Sequence, residues 1–199
     1  MTIQGLQIKH QRRHLQMLSK QPVVSIFRAV LFFTLAMLTF ASVLKLRLGV
    51  DIQARQCLPF TLYINHLTPP DQIRRGQILG FVSHGEVGHG FDGKLMTKMV
   101  AAIPGDTITI MRDQLYVNGI KVGRPMDLDV KLHKQPGAFD RTEIVPSGHA
   151  FFIGTEPHSF DSRYWGFIAF PEIVAQAKPV PGFGPDQESF TREILGPLL

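Results

Sequence analysis

Cysteine is nearly missing from this chain of 199 residues, where Cys57 stands alone. A single thiol excludes an intramolecular disulfide framework and a multi-cysteine zinc site, so any role it has is chemical. Acidic residues are missing from the N-terminal region. None precedes Asp51, whereas Lys9, Arg12, Arg13, Lys20 and Arg28 gather there with His10 and His14. The formal net charge of +5 is therefore mostly local to one end. That distribution argues against nucleic acid as a partner, because the charge does not run along aromatic strands. No internal repeat is found. The length leaves room for one ordinary domain and an appendage, which excludes a long multi-domain enzyme. Hydrophobic residues at 44%, with 15 Phe, exclude intrinsic disorder, and 18 Gly with 14 Pro point to many turns.

What is present begins with an apolar run. Residues 23–44 read VVSIFRAVLFFTLAMLTFASVL, close to the ~20 residues a bilayer core requires. The run predicts one transmembrane helix over 23–44. Arg28 lies near its N-terminal end, where the stem can reach the headgroups and keep the guanidinium hydrated. The basic cluster before the run outweighs Lys45 and Arg47 after it, placing residues 1–22 in the cytoplasm and residue 45 onward across the membrane. A cleaved secretory signal competes, since Ala41 and Ser42 are small, but the basic leader is long and the run exceeds the ~7–15 residues of a signal core. A buried soluble helix competes less well, because no polar face recurs at helical spacing.

Beyond Leu44 the pattern changes to short β-type runs separated by Gly and Pro. Strands are expected at 78–83, 96–103, 107–111, 114–117, 120–122, 150–154 and 166–170. Asn118-Gly119 and Arg112-Asp113 fall between such runs and predict tight hairpin turns. Without interleaved amphipathic helices, these strands predict a mainly β, antiparallel domain over 45–178. Residues 179–199 read as a rigid linker, PVPGFGPD, and a tail with a short helix at 187–195.

Three places carry candidate chemistry. Lys98 is the only charge in LMTKMVAAIPG, and strand alternation puts it on one face with Met96, Val100 and Ala102. An ammonium on an apolar face is costly, and a lysine so placed suits general base catalysis; the competing reading is a lysine guarding an exposed strand edge. Cys57, in ARQCLPFTLY, is two residues before a proline and so sits in extended or turned chain. It is either a buried, inert thiol or, beside Arg55, a nucleophile. In HSFDSRYWG at 158–166, Asp161 and Arg163 are two apart and would pair in an extended loop, fixing the Ser159 hydroxyl as a hydrogen-bonding partner. An ordinary polar turn is the plain alternative. HGEVGH at 84–89 is no zinc motif, because histidines five apart with two glycines between them cannot share a helix face. His158 beside Ser159 shows adjacency alone, which does not make a triad. No metal and no cofactor is expected.

Taken in order, the segments resemble the membrane-bound signal peptidase I family, whose serine and lysine dyad sits on an all-β fold. CLPFT at 57–61 resembles the nucleophile box, RRGQILGF at 74–81 the next conserved strand, and KMVAAIPGDTI at 98–108 the lysine box. VPSGHAFFIG at 145–154 and SFDSRYWG at 159–166 resemble the last box. The CLP spacing, and Thr155-Glu156 in place of Asp-Asn after Gly154, look most like the TraF-type peptidases of conjugative transfer systems. Cys57 occupies the position of the nucleophilic serine. The resemblance implies Lys98 as general base, Ser159 orienting it, and Asp161 with Arg163 bracing the loop. It implies Leu58 and Thr97 against the substrate, and the Cys57 N–H in the oxyanion hole, with Arg55 where a second donor would stand. It further implies a protease or transpeptidase in the bacterial inner membrane, with its catalytic domain periplasmic, acting on a pilin or other exported precursor. A housekeeping signal peptidase and a catalytically inactive assembly factor are the competing functions.

Overall fold

A computed structural model describes residues 24–51, 56–85, 87–129 and 131–199. The basic segment 1–22, Val23, Arg55 and Glu86 lie outside the described residues. The chain divides into two compact units, Met1–Leu44 and Lys45–Leu199.

The first unit carries helix α1, Val24–Val43, with a mean hydropathy of 2.0. By length and composition it can cross a membrane. Its large apolar side chains are exposed, Phe33 at 71% and Met37 at 75%, so no protein core covers them. Thr34 and Thr39 donate their hydroxyls back to the carbonyls of Val30 and Leu35, at 2.7 and 3.0 Å. These two hydroxyls thus need no water.

The second unit is built from β1 (Leu46–Val50), β2 (Leu62–His66), β3 (Ile78–Val82), β4 (Leu95–Ala102), β5 (Thr107–Met111) and β6 (Gln114–Val117). It continues with β7 (Ile120–Val122), β8 (Arg141–Ile144), β9 (His149–Ile153), β10 (Ile168–Ala169) and β11 (Ile173–Pro179). A helical turn, α2 (Ser162–Trp165), follows β9, and α3 (Gln187–Leu195) follows β11. One sheet has seven strands in the order β1-β2-β11-β3-β4-β9-β10, and the other has four in the order β7-β6-β5-β8. Every pair is antiparallel, so the domain is mainly antiparallel β.

The two tight turns set the register of the smaller sheet. Arg112 and Asp113 have φ of 50° and 62°, and Asn118 and Gly119 have φ of 51° and 80°. Both central residues are left-handed, the geometry that matches the twist of the flanking strands. Met111 therefore faces Gln114, and Val117 faces Ile120.

The site depends on β4, an interior strand between β3 and β9. Its side chains alternate between two apolar clusters. Met99 and Ala101 pack with Phe151 and Ile153, whereas Val100 packs with Leu79, Phe81 and Phe152. An irregularity between Val100 and Ala102 breaks the alternation. Ala102 consequently joins Met99 and Ala101, not the Lys98 face on which simple alternation puts it.

Four strands carry no clear signal in the sequence: β1, β2, β8 and β11. In β11 the inward residues after Ile173 are Ala175 and Ala177, whose small side chains give little hydrophobic contrast. The expected strand at 166–170 is reduced to the two residues of β10. The C-terminal segment contributes to the core. Asp186 accepts a hydrogen bond from Ser189 N–H at 2.9 Å, capping α3, and Phe190, Ile194, Leu195 and Leu198 enter the larger apolar cluster.

A buried polar knot ties the start of β3 to the smaller sheet. Arg75 grips both oxygens of Asp106 at 3.0 and 2.6 Å, and Ile103 N–H and the Asn118 amide add bonds of 2.9 and 2.8 Å. Burial works against the Asp106 charge, but these donors outweigh it and hold the carboxyl below its usual range.

Candidate active site

Lys98 sits in the middle of β4, opposite Leu79 of β3, and is 2% exposed. This excludes the strand-edge reading, because β4 has a partner on each side. Its Nζ donates to the Ser159 hydroxyl at 2.9 Å, and Ser159 has no exposure. A buried ammonium or amine needs such a partner.

Ser159 reaches Lys98 through the turn after β9. Ser159 N–H donates to the Glu156 carbonyl at 3.0 Å, closing that turn. Gly154 is required at its start by close approach. A Cβ there would overlap Ser159 Oγ and stand 2.7 Å from the Cys57 carbonyl oxygen. The Cys57 segment docks on the same turn, its carbonyl accepting from Thr155 N–H at 2.8 Å and Glu156 N–H at 3.4 Å. Cys57 is itself partly buried.

Asp161 and Arg163 pair, though not by the extended geometry expected from their spacing. Residues Ser162–Trp165 form a helical turn with Asp161 as its N-cap, and the guanidinium reaches back. Arg163 Nε and Nη2 donate to the two Asp161 oxygens at 2.8 and 2.7 Å. Asp161 also accepts from Gly154 N–H at 2.9 Å, and Arg163 donates to the Arg124 and Gly154 carbonyls at 2.8 and 3.4 Å. Burial opposes the Arg163 charge, but the Asp161 carboxylate outweighs it and holds the guanidinium charged above its ordinary value. A second arginine, which the sequence did not single out, supports this turn from β8. Arg141 donates to the Ser162 and Arg163 carbonyls at 2.9 and 2.8 Å.

Cys57 and Lys98 line one cleft of about 750 Å³. Leu58 and Thr97 line it too, although Leu58 is only 2% exposed and belongs mainly to the core. Tyr63 and His158 also face this cleft, and neither was picked out as a site residue from the sequence. Nothing in the strand LYINH distinguishes Tyr63 from a packing aromatic. Its phenol pKa is pushed upward, first by burial and then by Asp51 and Cys57, so it stays protonated as a hydrogen-bond donor. The arrangement provides a thiol, a buried amine held by a hydroxyl, and an open apolar-walled groove, which are the parts acyl transfer needs. Among the described residues no cluster of His, Cys, Asp and Glu is arranged to hold a metal ion.

Residues 20–180 match the family model for signal peptidase, peptidase S26. The chain belongs to the signal peptidase family. It is 37% identical over 95 residues to signal peptidase I V of Bacillus subtilis strain 168, a match covering 43% of this chain and 56% of that relative. It is 36% identical over 92 residues to signal peptidase I of Bacillus caldolyticus, covering 40% of this chain and 49% of the other. A crystal structure of a signal peptidase I from Enterococcus faecalis V583 aligns at 25% identity with a TM-score of 0.37, covering 53% of this chain and 97% of that one. The chain thus spans about half the length of the sequence relatives it matches.

Proposed function

We propose that this chain is a membrane-anchored, signal-peptidase-like protease and transpeptidase that processes a conjugative pilin precursor through Cys57 and Lys98. The observation that carries the reading is the buried Lys98–Ser159 hydrogen bond of 2.9 Å, at the wall of a cleft that Cys57 also lines. Lys98 takes the Cys57 proton, the thiolate attacks the scissile carbonyl, and the C–N bond breaks to leave an acyl-thioester. The Cys57 N–H stabilises the tetrahedral oxyanion. Water then releases the acyl group as an acid, or an amine releases it as a new amide. Because a thioester is readily intercepted by an amine, the cysteine favours transpeptidation, including closure of a pilin into a ring. The CLP spacing and Thr155-Glu156 after Gly154 support the conjugative branch over a housekeeping enzyme. Helix α1 would anchor the chain in the bacterial inner membrane with the β domain periplasmic, so that enzyme and precursor diffuse in one plane.

The test incubates detergent-purified protein with pilin precursor, comparing wild type with Cys57→Ala, Cys57→Ser and Lys98→Ala. Cys57→Ala and Lys98→Ala should abolish processing, and Cys57→Ser should retain part of it. Equal processing by Cys57→Ala would remove the thiol from the mechanism, and no processing by wild type would point to an assembly factor. Broad cleavage of a generic presecretory protein would instead identify a housekeeping peptidase. Mass spectrometry of the mature pilin distinguishes a linear from a cyclic product by the loss of one further water.

A further inference from the structure

The cleft holds an imidazole whose chemistry the Cys57–Lys98 scheme leaves unused. His158 lines it together with Cys57 and Lys98. The imidazole Nε2 is buried without a hydrogen-bond partner among the described residues. A buried ring nitrogen left unpaired calls for a functional reason, because such groups are nearly always satisfied.

The backbone ties His158 to both reacting groups. Two and three residues before it, Glu156 and Thr155 donate their N–H groups to the Cys57 carbonyl at 3.4 and 2.8 Å. The next residue, Ser159, accepts from Lys98 Nζ at 2.9 Å. Phe160 then packs between Phe91 and Tyr164, with ring centroids 6.0 and 5.7 Å away, so the loop is held on both sides of the imidazole. Three other groups that line the cleft are otherwise engaged. Lys98 Nζ is enclosed with Ser159, the Lys94 ammonium is tied to the Gly90 carbonyl at 2.7 Å, and the Tyr63 phenol stays protonated.

We propose that His158 is a further catalytic residue that protonates the departing amine when Cys57 is acylated and deprotonates the incoming water or amine when the thioester is broken. The proposal rests on Cys57 as nucleophile. In the first step the Cys57 proton passes to neutral Lys98, sulfur bonds the carbonyl carbon, and the amide C–N bond breaks as imidazolium gives its proton to nitrogen. In the second step neutral His158 takes a proton from the attacking water or amine, the new acyl bond forms, and the thiolate leaves and recovers its proton from Lys98. The cycle returns every group to its starting state. This division also separates the two proton transfers, so the buried Lys98 need not move.

The experiment compares wild type, His158→Gln, His158→Ala and Cys57→Ala on two acyl donors: the precursor protein, whose amine leaving group needs a proton, and 4-nitrophenyl acetate, whose nitrophenolate does not. His158→Gln should lower precursor cleavage by about 100-fold or more, the usual contribution of a general acid. Its first-turnover burst of nitrophenolate should match wild type, while later turnovers slow and acetyl-Cys57 accumulates. Added imidazole should partly restore precursor cleavage to His158→Ala. Equal losses on both donors would make His158 merely structural, and unchanged precursor cleavage would return both proton transfers to Lys98. Either result would overturn the proposal with the Cys57 reading intact. A burst and cleavage that persist in Cys57→Ala would overturn the nucleophile itself, whatever His158→Gln does. Thermal unfolding of each variant separates loss of fold from loss of chemistry.

Discussion

Lys98 and Cys57 face the same cleft but are held in opposite ways. Lys98 belongs to an interior strand, flanked by β3 and β9, and its side chain is locked to buried Ser159. Cys57 lies in the connection between β1 and β2 and is fixed by backbone bonds from its carbonyl to Thr155 and Glu156. The proposed base is thus positioned by the core and the proposed nucleophile by a turn. The turn from Gly154 to Arg163 is the shared reference, since it carries Ser159 toward one and receives the carbonyl of the other.

The sharpest way to break this arrangement is to unpair its brace. Arg163→Ala leaves the fully buried Asp161 carboxylate without its partner and should cost about 3–5 kcal/mol in urea unfolding. Next comes Gly154→Ala, whose Cβ meets both Ser159 and the Cys57 carbonyl. A displacement near 1 Å between Cys57 and Lys98 should lower precursor cleavage by about 100-fold, read from initial rates. Ser159→Ala tests the base alone. It leaves Lys98 Nζ buried and unpaired and should cost about 1–3 kcal/mol by denaturant unfolding, whereas Lys98→Met leaves only the buried Ser159 hydroxyl without its donor, should cost no more than that, and should cleave nothing.

The smallest effect lies outside the site and tests whether the comparison is local. Asp106 has its folded pKa lowered, so its contribution to stability is present above the unfolded value of 3.8 and is lost as pH falls through the folded value. Wild-type Tm should therefore fall as acid is added below about pH 4, and Asp106→Asn should lack that part of the slope. Precursor cleavage at neutral pH should be the same in both if the knot at Asp106 stabilises the fold without touching Cys57 or Lys98.

Legibility from sequence followed contrast. Asn118-Gly119 and Arg112-Asp113 announce their turns because left-handed pairs have few other uses, and the strands at 107–111, 114–117 and 120–122 fall where those turns put them. Lys98 stood out as a lone charge among apolar residues. Strand β11 was hidden because Ala175 and Ala177 face inward with little apolar surface, and α2 was hidden because four residues are too few for a helical period. Arg141 looked like any surface arginine. Its role depends on the carbonyls of Ser162 and Arg163, which lie 21 and 22 residues away in sequence.

The sequence by itself determined the apolar run of α1, the turn chemistry of the β domain, and the unusual residues Cys57, Lys98, Ser159, Asp161 and Arg163. Those are local properties, written in composition and in spacings of a few residues. Only the tertiary structure decided that Lys98 is interior and that its partner is Ser159. It alone brought Cys57 to the turn after β9 and placed Tyr63 and His158 in the same cleft. Such contacts join residues far apart in the chain. They exist only once long-range strand pairing has cost its entropy and burial has offset it, which no local pattern records.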